Sequence, residues 1–417
     1  MTYTLIHNGT LIDGNGRAPI PHGAVLVRDE RITAVGRKTD IPLPDADIQM
    51  IDAQGGAILP GLIDTHVHLV FEGINPMQMM TTPFSLNYYQ AIDRMKRTVE
   101  AGVTSVRDAG GADLGMKQAA AQGLVLGPRM QISITVLSIT GGHGDSWLPS
   151  GANLSLFAES PGRPSGIVDG VDNVRRKVRE ILRAGADVIK VCSTGGVLSP
   201  TDHPEFTQFS PEELAVMVQE ATYRRGVKVM AHAQGADGIK NAIRAGIHSI
   251  EHGIFLDEEA IELMLTHGTF LVPTLLAPLA VLEIAEATGT MPEWGVQKAR
   301  EVIEIHSENI GKAYQAGVKI AMGTDAGVMK HGTNLRELGL MCGIGMTPME
   351  SIVATTKVAA ECLGWQDRVG TLAAGKLADI IISKTDPLAD IRSLEKPENI
   401  VLVMLDGRVV KDVIRHP

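Results

Sequence analysis

The sequence has few aromatic residues, few cysteines and no long apolar run, and each shortage excludes a class of protein. Aromatic residues make up 4% of the 417 residues, too few for a surface of stacked rings that binds nucleic-acid bases. Cys192, Cys342 and Cys362 have no paired spacing, which predicts a reducing compartment rather than a disulfide scaffold. No segment approaches the roughly 18 apolar residues of a membrane-spanning helix. The first residues show no signal peptide, so we expect a cytoplasmic protein.

The charges are too dispersed for a protein that binds nucleic acid. The net charge is −10 at pH 7, and lysine and arginine are not concentrated in one segment, as neutralisation of phosphates would require. Hydrophobic residues amount to 44%, which is sufficient for a sizeable globular core. We therefore expect a small-molecule substrate, with neither a nucleic-acid nor a membrane partner.

Glycine is abundant, with 45 residues, and six of the glycines mark a repeated junction. Each follows a polar helical tail and precedes a short run rich in Val and Ile, as in EAGVTSVRD and RAGADVIKVC. Glycine suits the left-handed position after a helix end, and the apolar run suits a buried parallel strand. The six are Gly102, Gly185, Gly226, Gly246, Gly268 and Gly317.

These junctions predict repeated β/α units around a parallel sheet. A strand over residues 58–66 and another near RMQISITVL bring the expected units to eight. Eight units favour a closed (β/α)8 TIM barrel over an open sheet. No G-x-G-x-x-G follows a predicted strand, so a dinucleotide-binding fold lacks its sequence signature.

Short β segments with alternating apolar residues occur at both ends of the chain. They fill the first 57 residues and return in ADIIISKTDPL and IVLVMLDGRVVKDV. Turns between such segments predict small antiparallel sheets, and neither end is long enough to close a core alone. We expect the two ends to form one β-sandwich from residues 1–57 and 367–417, with the barrel at residues 58–366.

The predicted barrel strands end in residues of the types that bind metals. In a (β/α)8 barrel the active site lies at the carboxyl ends of the strands. Residues i and i+2 of a strand project to the same side, so the two histidines of THVHL can reach one point together. The strand-end residues are His66, His68, Lys190, His232, His252 and Asp325. We expect all six to converge on one barrel mouth.

Each of these residues also has an ordinary structural explanation. A single histidine in a strand is often a hydrogen-bonded structural residue, and Asp325 could cap the following helix. Lys190 stands among apolar neighbours, where an ammonium is costly unless it is paired. A Schiff base is the rival role for Lys190. The convergence of the whole set is what favours a metal centre.

The order HxH, Lys, His, His, Asp resembles the amidohydrolase superfamily of metal-dependent hydrolases. PGLIDTHVHL, EHG and GTDAG are similar to its motifs, and the resemblance covers nearly the whole chain. In members with two metal ions, it implies His66, His68 and Asp325 on one ion and His232 and His252 on the other.

The resemblance also implies a mechanism. Lys190 would be carboxylated to N6-carboxylysine and would bridge two divalent ions, for which the imidazole and carboxylate ligands favour zinc. The ions would lower the pKa of a shared water molecule towards about 7, and the resulting hydroxide would attack an amide carbonyl. Asp325 would accept the proton and transfer it to the leaving amine. Asp325 and Lys190 are thus the expected catalytic residues.

Other phrases narrow the resemblance to one branch. RDAGGAD, TGGHGD and VCSTGGVLSPTD resemble prolidase-like, Xaa-Arg/Lys carboxypeptidase-like and ochratoxinase-like enzymes. The likeness implies that His143, in a glycine-rich loop, contacts the substrate, and His331 is a second pocket candidate. Gln234 stands where members of the branch carry Tyr or His, and its amide is expected to bind a substrate carboxylate or amide. Trp147 and the Met-rich stretch NPMQMMTTPF are candidates for an apolar pocket wall.

The residues leave three functions open. The favoured one is hydrolysis of a dipeptide or an N-acyl amino acid. The second is hydrolysis of an aryl amide, a urea, a carbamate or a cyclic amide, as in imidazolonepropionase-like relatives. The third is a catalytically inactive assembly module, which would usually have lost a ligand, whereas all six positions are filled here. We expect the protein to be a homo-oligomer.

Overall fold

The computed structural model describes residues 2–414 except residues 74, 76, 77, 79, 80, 149 and 154–158. Its strands are β1 (Tyr3–Leu11), β2 (Ile20–Arg28), β3 (Arg31–Arg37), β4 (Ile48–Asp52), β5 (Ala57–Pro60), β6 (Leu62–Val67), β7 (Val103–Asp108), β8 (Arg129–Ile132), β9 (Val136–Leu137), β10 (Val188–Cys192), β11 (Lys228–Ala233), β12 (Ser249–His252), β13 (Phe270–Val272), β14 (Ile380–Ser383), β15 (Ile400–Leu405) and β16 (Arg408–Asp412). Its α-helices are α1 (Phe84–Glu100), α2 (Leu114–Ala121), α3 (Val171–Arg183), α4 (Pro211–Thr222), α5 (Ala236–Arg244), α6 (Glu258–His267), α7 (Leu276–Thr288), α8 (Glu293–Gln315), α9 (Arg336–Gly343), α10 (Pro348–Val353) and α11 (Ala359–Leu363). A π-helical turn, Ala354–Val358, joins α10 to α11, and 3-10 turns span Lys38–Asp40, Ile391–Glu395 and Pro397–Asn399.

Both ends of the chain contribute strands to one sheet. Its order is β16-β15-β14-β5-β1-β2-β3, and β4 also pairs with β1. The antiparallel prediction holds for β1–β2 and β2–β3 but is wrong for β4 and β5, which run parallel to β1. The connection after β3 carries the chain across the sheet, and such a crossover lets β4 return in the direction of β1. Ile6, Ile58, Ile380 and Leu402 pack together in the core on one face.

The middle of the chain forms two parallel sheets, in the orders β6-β7-β8 and β13-β12-β11-β10-β9. Residues 319–326 lie between them. The amide of Leu271 in β13 donates to the carbonyl of Lys319 at 2.9 Å, and the amide of Thr65 in β6 donates to that of Met322 at 3.0 Å. Helices alternate with these strands and pack against them in the main core. The fold is therefore mixed α/β with parallel strands, as the repeated junctions predict.

Glycines shape the connections in this region. The six junction glycines all have positive φ, between 65° and 101°, as predicted. Gly61 divides the predicted strand over residues 58–66 into β5, which joins the terminal sheet, and β6, which begins the parallel sheets. A Cβ atom at Gly61 would lie 2.2 Å from Oγ1 of Thr104, so only glycine allows this close approach. None of the described helices combines the length and the apolarity that crossing a membrane requires.

Candidate metal centre and active site

The six residues predicted as metal ligands meet at one cavity. Each belongs to a strand of the parallel sheets, directly follows one, or lies in the connecting segment 319–326. The cavity is lined by His66, His68, Lys190, His232, His252 and Asp325, together with neighbours that include His143, Cys192 and Phe71. The structure thus brings together all six residues that the sequence predicts as metal ligands.

Three of these side chains form a compact group of ligand atoms. One ligand atom from each of His66, His68 and Asp325 lies within 4.8 Å of the others. Oδ1 of Asp325 is 3.2 Å from Nε2 of His68 and 3.6 Å from Nε2 of His66. Nζ of Lys190 is 3.4 Å from Nε2 of His66. Donors that each lie about 2 Å from a shared zinc ion are separated by roughly 3 to 4 Å, so this group fits such an ion.

His232 and His252 lie beside this group. Their ring centroids are 4.6 Å apart, and the ring of His252 is 5.1 Å from that of His66. The backbone of His252 has a φ of 74° and that of Asp325 a φ of 63°, a left-handed conformation that is uncommon outside glycine. Strained residues of this kind cluster at active sites, where the backbone aims a side chain in a required direction.

Each of the four histidines has one ring nitrogen hydrogen-bonded to a protein group. The pairs are His66 Nδ1 with Glu251 Oε2, His68 Nδ1 with the carbonyl of Gly110, His232 Nε2 with the carbonyl of Gly195, and His252 Nδ1 with the hydroxyl of Thr274, at 2.7 to 2.9 Å. Such a bond fixes the orientation and the tautomer of an imidazole and directs its other nitrogen to a metal ion. The four rings are therefore oriented for metal binding by the protein itself.

The protonation states agree with this arrangement. Burial holds the pKa of His66, His232 and His252 well below the usual histidine value, and neighbouring cationic groups lower it further. Neutral imidazole is the form that binds metals. Burial opposes the ionisation of Asp325, but a hydrogen bond from His68 and the proximity of His66 hold its pKa below the usual range. The chain thus presents the neutral imidazoles of His66, His232 and His252 near the carboxylate of Asp325.

Lys190 is buried in the cavity, away from the solvent that ordinarily surrounds a lysine ammonium group. It is 3% exposed, and burial lowers the pKa of its ammonium group, against an opposing effect of Glu251. An uncharged amine can add carbon dioxide and become a carbamate, which is an anionic oxygen ligand. Four imidazoles, one carboxylate and such a lysine are donors that suit a pair of divalent ions such as zinc.

A pair of buried charges behind His66 was not predicted from the sequence. Oε2 of Glu251 is 2.8 Å from Nδ1 of His66, and Oε1 of Glu251 is 2.8 Å from Nη2 of Arg107. Arg107 is 1% exposed and Glu251 is fully buried. The signal that could have revealed them is a pair of opposite charges inside two predicted buried strands, VTSVRD and SIEH.

The three predicted substrate-binding residues occupy different places. His143 borders the cavity of the six residues and stacks on His232, with ring centroids 4.1 Å apart. Gln234 lines an adjoining cavity, and its Oε1 is buried without a hydrogen-bond partner among the described residues. His331 lines neither of these two cavities, and its Nε2 is 3.1 Å from the main-chain oxygen of His68. The structure therefore places His331 behind the cavity wall.

The predicted apolar wall is described only in part. Residues 76, 77, 79 and 80 of the Met-rich stretch lie outside the described residues. Trp147 is 51% exposed and lines neither cavity. The apolar lining comes instead from other side chains, including Phe71, Val136 and Leu198.

Comparison with known proteins identifies the family. The model of the amidohydrolase family matches residues 57–410. The chain belongs to the amidohydrolase family. This confirms the resemblance seen in the sequence and makes the protein a hydrolase of the superfamily that acts on amide bonds.

Individual relatives of this amidohydrolase align over nearly its whole length. The ochratoxinase of Aspergillus niger is 36% identical over an aligned length of 427 residues including gaps. The alignment covers 98% of this chain and 86% of the relative. A crystal structure of the A. niger ochratoxinase matches with a TM-score of 0.87 and 34% identity, covering 99% of this chain and 96% of the other. A Xaa-Pro dipeptidase with methionine bound in its active site has a TM-score of 0.89 and 36% identity, covering 98% and 100%. A prolidase complexed with N-methylphosphonate-L-proline has a TM-score of 0.90 and 35% identity, covering 99% and 100%.

Proposed function

We propose that this amidohydrolase uses two divalent metal ions to hydrolyse the amide bond of a dipeptide or an N-acyl amino acid. The observation that carries the proposal is the set of four histidines around Lys190 and Asp325, each with one ring nitrogen bonded to a protein group. Structural histidines would have no reason to share this arrangement in one cavity.

The ligands divide between two ions in this proposal. One ion would be held by His66, His68 and Asp325, and the other by His232 and His252, with carboxylated Lys190 shared between them. Bound there, zinc would polarise the amide carbonyl and lower the pKa of a water molecule.

Asp325 is the proposed general base. Its Oδ1 faces the imidazoles of His66 and His68, so we assign the proton to Oδ2, from which it passes to the leaving nitrogen. The low pKa of the carboxyl group keeps Asp325 ionised, and therefore able to accept this proton, near neutral pH.

A peptide-like substrate is supported by the relatives and by Gln234. A dipeptidase with bound methionine and a prolidase with a phosphonate derivative of proline share the fold over the full chain. The amide oxygen of Gln234 is buried and has no partner in the described part of the chain, so a hydrogen bond from the substrate would remove the cost of leaving it unpaired.

We also propose that the parallel strands close into a (β/α)8 barrel, with the terminal sheet as a β-sandwich beside it. β8 pairs with β7, and β9, four residues later in the chain, pairs with β10. Residues 319–326 hydrogen-bond to both β13 and β6. The six cavity residues would then lie at the mouth formed by the carboxyl ends of the strands.

The experiment combines metal analysis with a substrate panel. Protein stripped by a chelator is reloaded with zinc and bicarbonate and tested on dipeptides, N-acyl amino acids, aryl amides, ureas, carbamates and cyclic amides. We expect two zinc ions per chain and release of an amino acid. His232→Asn should lose one ion and most of the activity, whereas His267→Asn, an exposed control in α6, should lose neither.

Two results would contradict the proposal. If the protein binds no zinc under these conditions, the proposed metal-dependent mechanism is wrong. If the protein binds two ions but hydrolyses only aryl amides, ureas, carbamates or cyclic amides, the proposed substrate class is wrong and the proposed metal centre is supported.

A further inference from the structure

His143 is anchored by a buried network that the metal positions do not use. Its Nδ1 is 2.9 Å from Oγ of Ser199, and Ser199 is in turn hydrogen-bonded to Oδ1 of Asp202. Ser199 is 1% exposed and Asp202 is 8% exposed. The network joins the glycine-rich loop that carries His143 to the loop that follows β10.

The contacts of Ser199 determine which nitrogen of His143 carries a proton. Besides His143, the hydrogen-bond partners of the Ser199 hydroxyl within the described ranges are two acceptors, the carboxylate of Asp202 and the carbonyl of Gly196 at 3.2 Å. Its single proton is therefore donated to one of these acceptors. Towards His143 the oxygen offers a lone pair, so Nδ1 of His143 must be the donor.

Asp202 is itself held from several sides. The amide nitrogen of Gln208 donates to Oδ2 of Asp202 at 3.1 Å, and the amide oxygen of Gln208 accepts the main-chain N–H of His143 at 3.1 Å. Nζ of Lys298 in α8 lies 3.6 Å from Oδ1 of Asp202 and donates to the carbonyls of Ser199 and Asp202 at 2.8 and 2.6 Å. Three separate parts of the chain thus fix one carboxylate.

Close packing fixes the plane of the His143 ring. One face stacks on His232 with an angle of 17° between the rings. A Cβ atom at Gly196 would lie 2.3 Å from Cε1 of His143, so glycine is required for the ring to occupy this place. The ring has little freedom to rotate away from Ser199.

We propose that Ser199 and Asp202 are positioning residues that fix His143 as the Nδ1–H tautomer and present its Nε2 to the substrate. The inference rests on the proposed function in one respect, that the substrate is an amide. The hydrogen-bond network can be tested without any substrate. Orientation of a group that contacts the substrate is worth a large factor in rate, because a displacement of about 1 Å can cost about 100-fold.

The kinetic test is a double-mutant cycle on the zinc-loaded protein with its best amide substrate. Ser199→Ala and Asp202→Asn should each lower kcat/KM by about 10-fold with two zinc ions retained. In a His143→Ala background, Ser199→Ala should change kcat/KM by less than about twofold, because interacting residues are not additive. The control Ser307→Ala removes an exposed hydroxyl from α8 and should have no effect.

An NMR measurement tests the same network without turnover. In protein labelled with 15N-histidine and loaded with zinc, the His143 signals, assigned by their loss in His143→Ala, should show a proton at Nδ1 and none at Nε2 under conditions where the ring is neutral. Ser199→Ala should move that proton partly to Nε2.

The outcomes separate this inference from the proposed function. Equal losses for Ser199→Ala in both backgrounds, wild-type kcat/KM in Ser199→Ala, or a His143 proton at Nε2 in the wild type would each overturn the positioning role. If the wild type hydrolyses no amide of the panel, the proposed function fails and the tautomer of His143 alone decides the inference, with a proton at Nδ1 supporting it.

Discussion

Oε2 of Glu251 lies 2.8 Å from Nδ1 of His66, with both side chains buried. Because the carboxylate also pairs with Arg107, Glu251 is not left as an isolated buried charge. A carboxylate bonded to one nitrogen of an imidazole fixes the ring and raises the basicity of the other nitrogen. His66 is thereby prepared as a ligand by a residue that the metal would not touch.

Glu251→Gln is expected to weaken zinc binding by about 10- to 100-fold, because the amide carries no charge to polarise His66. It should also lower Tm, since Arg107 loses its counter-ion. Competition with a chelator measures the affinity. Glu304→Gln, a control at an exposed position of α8, should bind zinc as the wild type does. Wild-type affinity in Glu251→Gln would mean that His66 is oriented without the carboxylate.

Lys190→Met removes the amine while keeping an unbranched side chain. We expect the variant to hold no more than one ion tightly and to lose activity by at least about 100-fold, because the shared ligand is gone. Wild-type protein prepared without carbon dioxide should gain activity when bicarbonate and zinc are added, and the variant should not. Lys330→Met, at an exposed position, is the matched control. Retention of both ions and of activity by Lys190→Met would exclude the bridging role.

Gln234→Met should separate binding from stability. The substitution keeps the length of the side chain but removes the buried Oε1, for which the described residues offer no partner. An unpaired buried acceptor costs roughly 1–3 kcal/mol, so Tm should stay the same or rise. KM should increase by about 10-fold, because the substrate loses a hydrogen bond. Gln118→Met on the surface of α2 is the control, and an unchanged KM in Gln234→Met would remove Gln234 from the substrate site.

Glu337 gives the free energy of unfolding a dependence on pH. Its two oxygens accept the amides of Leu275 and Leu276 at 2.7 and 2.8 Å, yet burial raises its pKa to about 8. The unfolded chain has a glutamate pKa of about 4.3. Between these two pKa values Glu337 is protonated in the folded state and ionised in the unfolded chain. The contribution of Glu337 to the free energy of unfolding is therefore present at low pH and is lost as the pH rises towards 8.

The expected result is a pH-dependent difference between the wild type and Glu337→Gln. The free energy of unfolding of the wild type, relative to the variant, should fall by up to about 1.4 kcal/mol per pH unit between about pH 5 and pH 8. Denaturant unfolding of both proteins at the two limits, with the same excess of zinc, provides the measurement. A difference that is the same at both limits would show that Glu337 does not change its protonation on unfolding.

The six cavity positions could be predicted because each lies at the end of a strand-like run, and parallel strands bring their carboxyl ends together. His66 and His68 were the clearest case, since a spacing of two residues in a strand sets one direction for both. The left-handed backbone conformation of His252 and Asp325 cannot be predicted from the two-residue repeat of a strand. It depends on tertiary packing, so only the structure shows how these side chains are aimed.

The groups that orient the cavity residues could not be predicted in the same way. Gly110 and Gly195 act through carbonyl oxygens, which every residue has, so no side-chain pattern marks them. Ser199 and Asp202 depend on Lys298, which approaches from a helix much later in the chain. The prediction of an antiparallel terminal sheet was wrong in part for a similar reason. Hairpin turns are local features of the sequence, whereas the parallel pairing of β4 with β1 depends on a crossover.

The place of β5 between β1 and β14 has a consequence for synthesis on the ribosome. Translation proceeds at roughly 5–20 residues per second, so the nascent chain exposes β5 for tens of seconds before β14 emerges. During this interval Ala57–Pro60 offers an unpaired strand edge, which is a template for association with other chains. Translation speed between Pro60 and Ile380 therefore sets how long this edge of β5 stays unpaired, and a chain that ends before Ile380 lacks the strand that covers it.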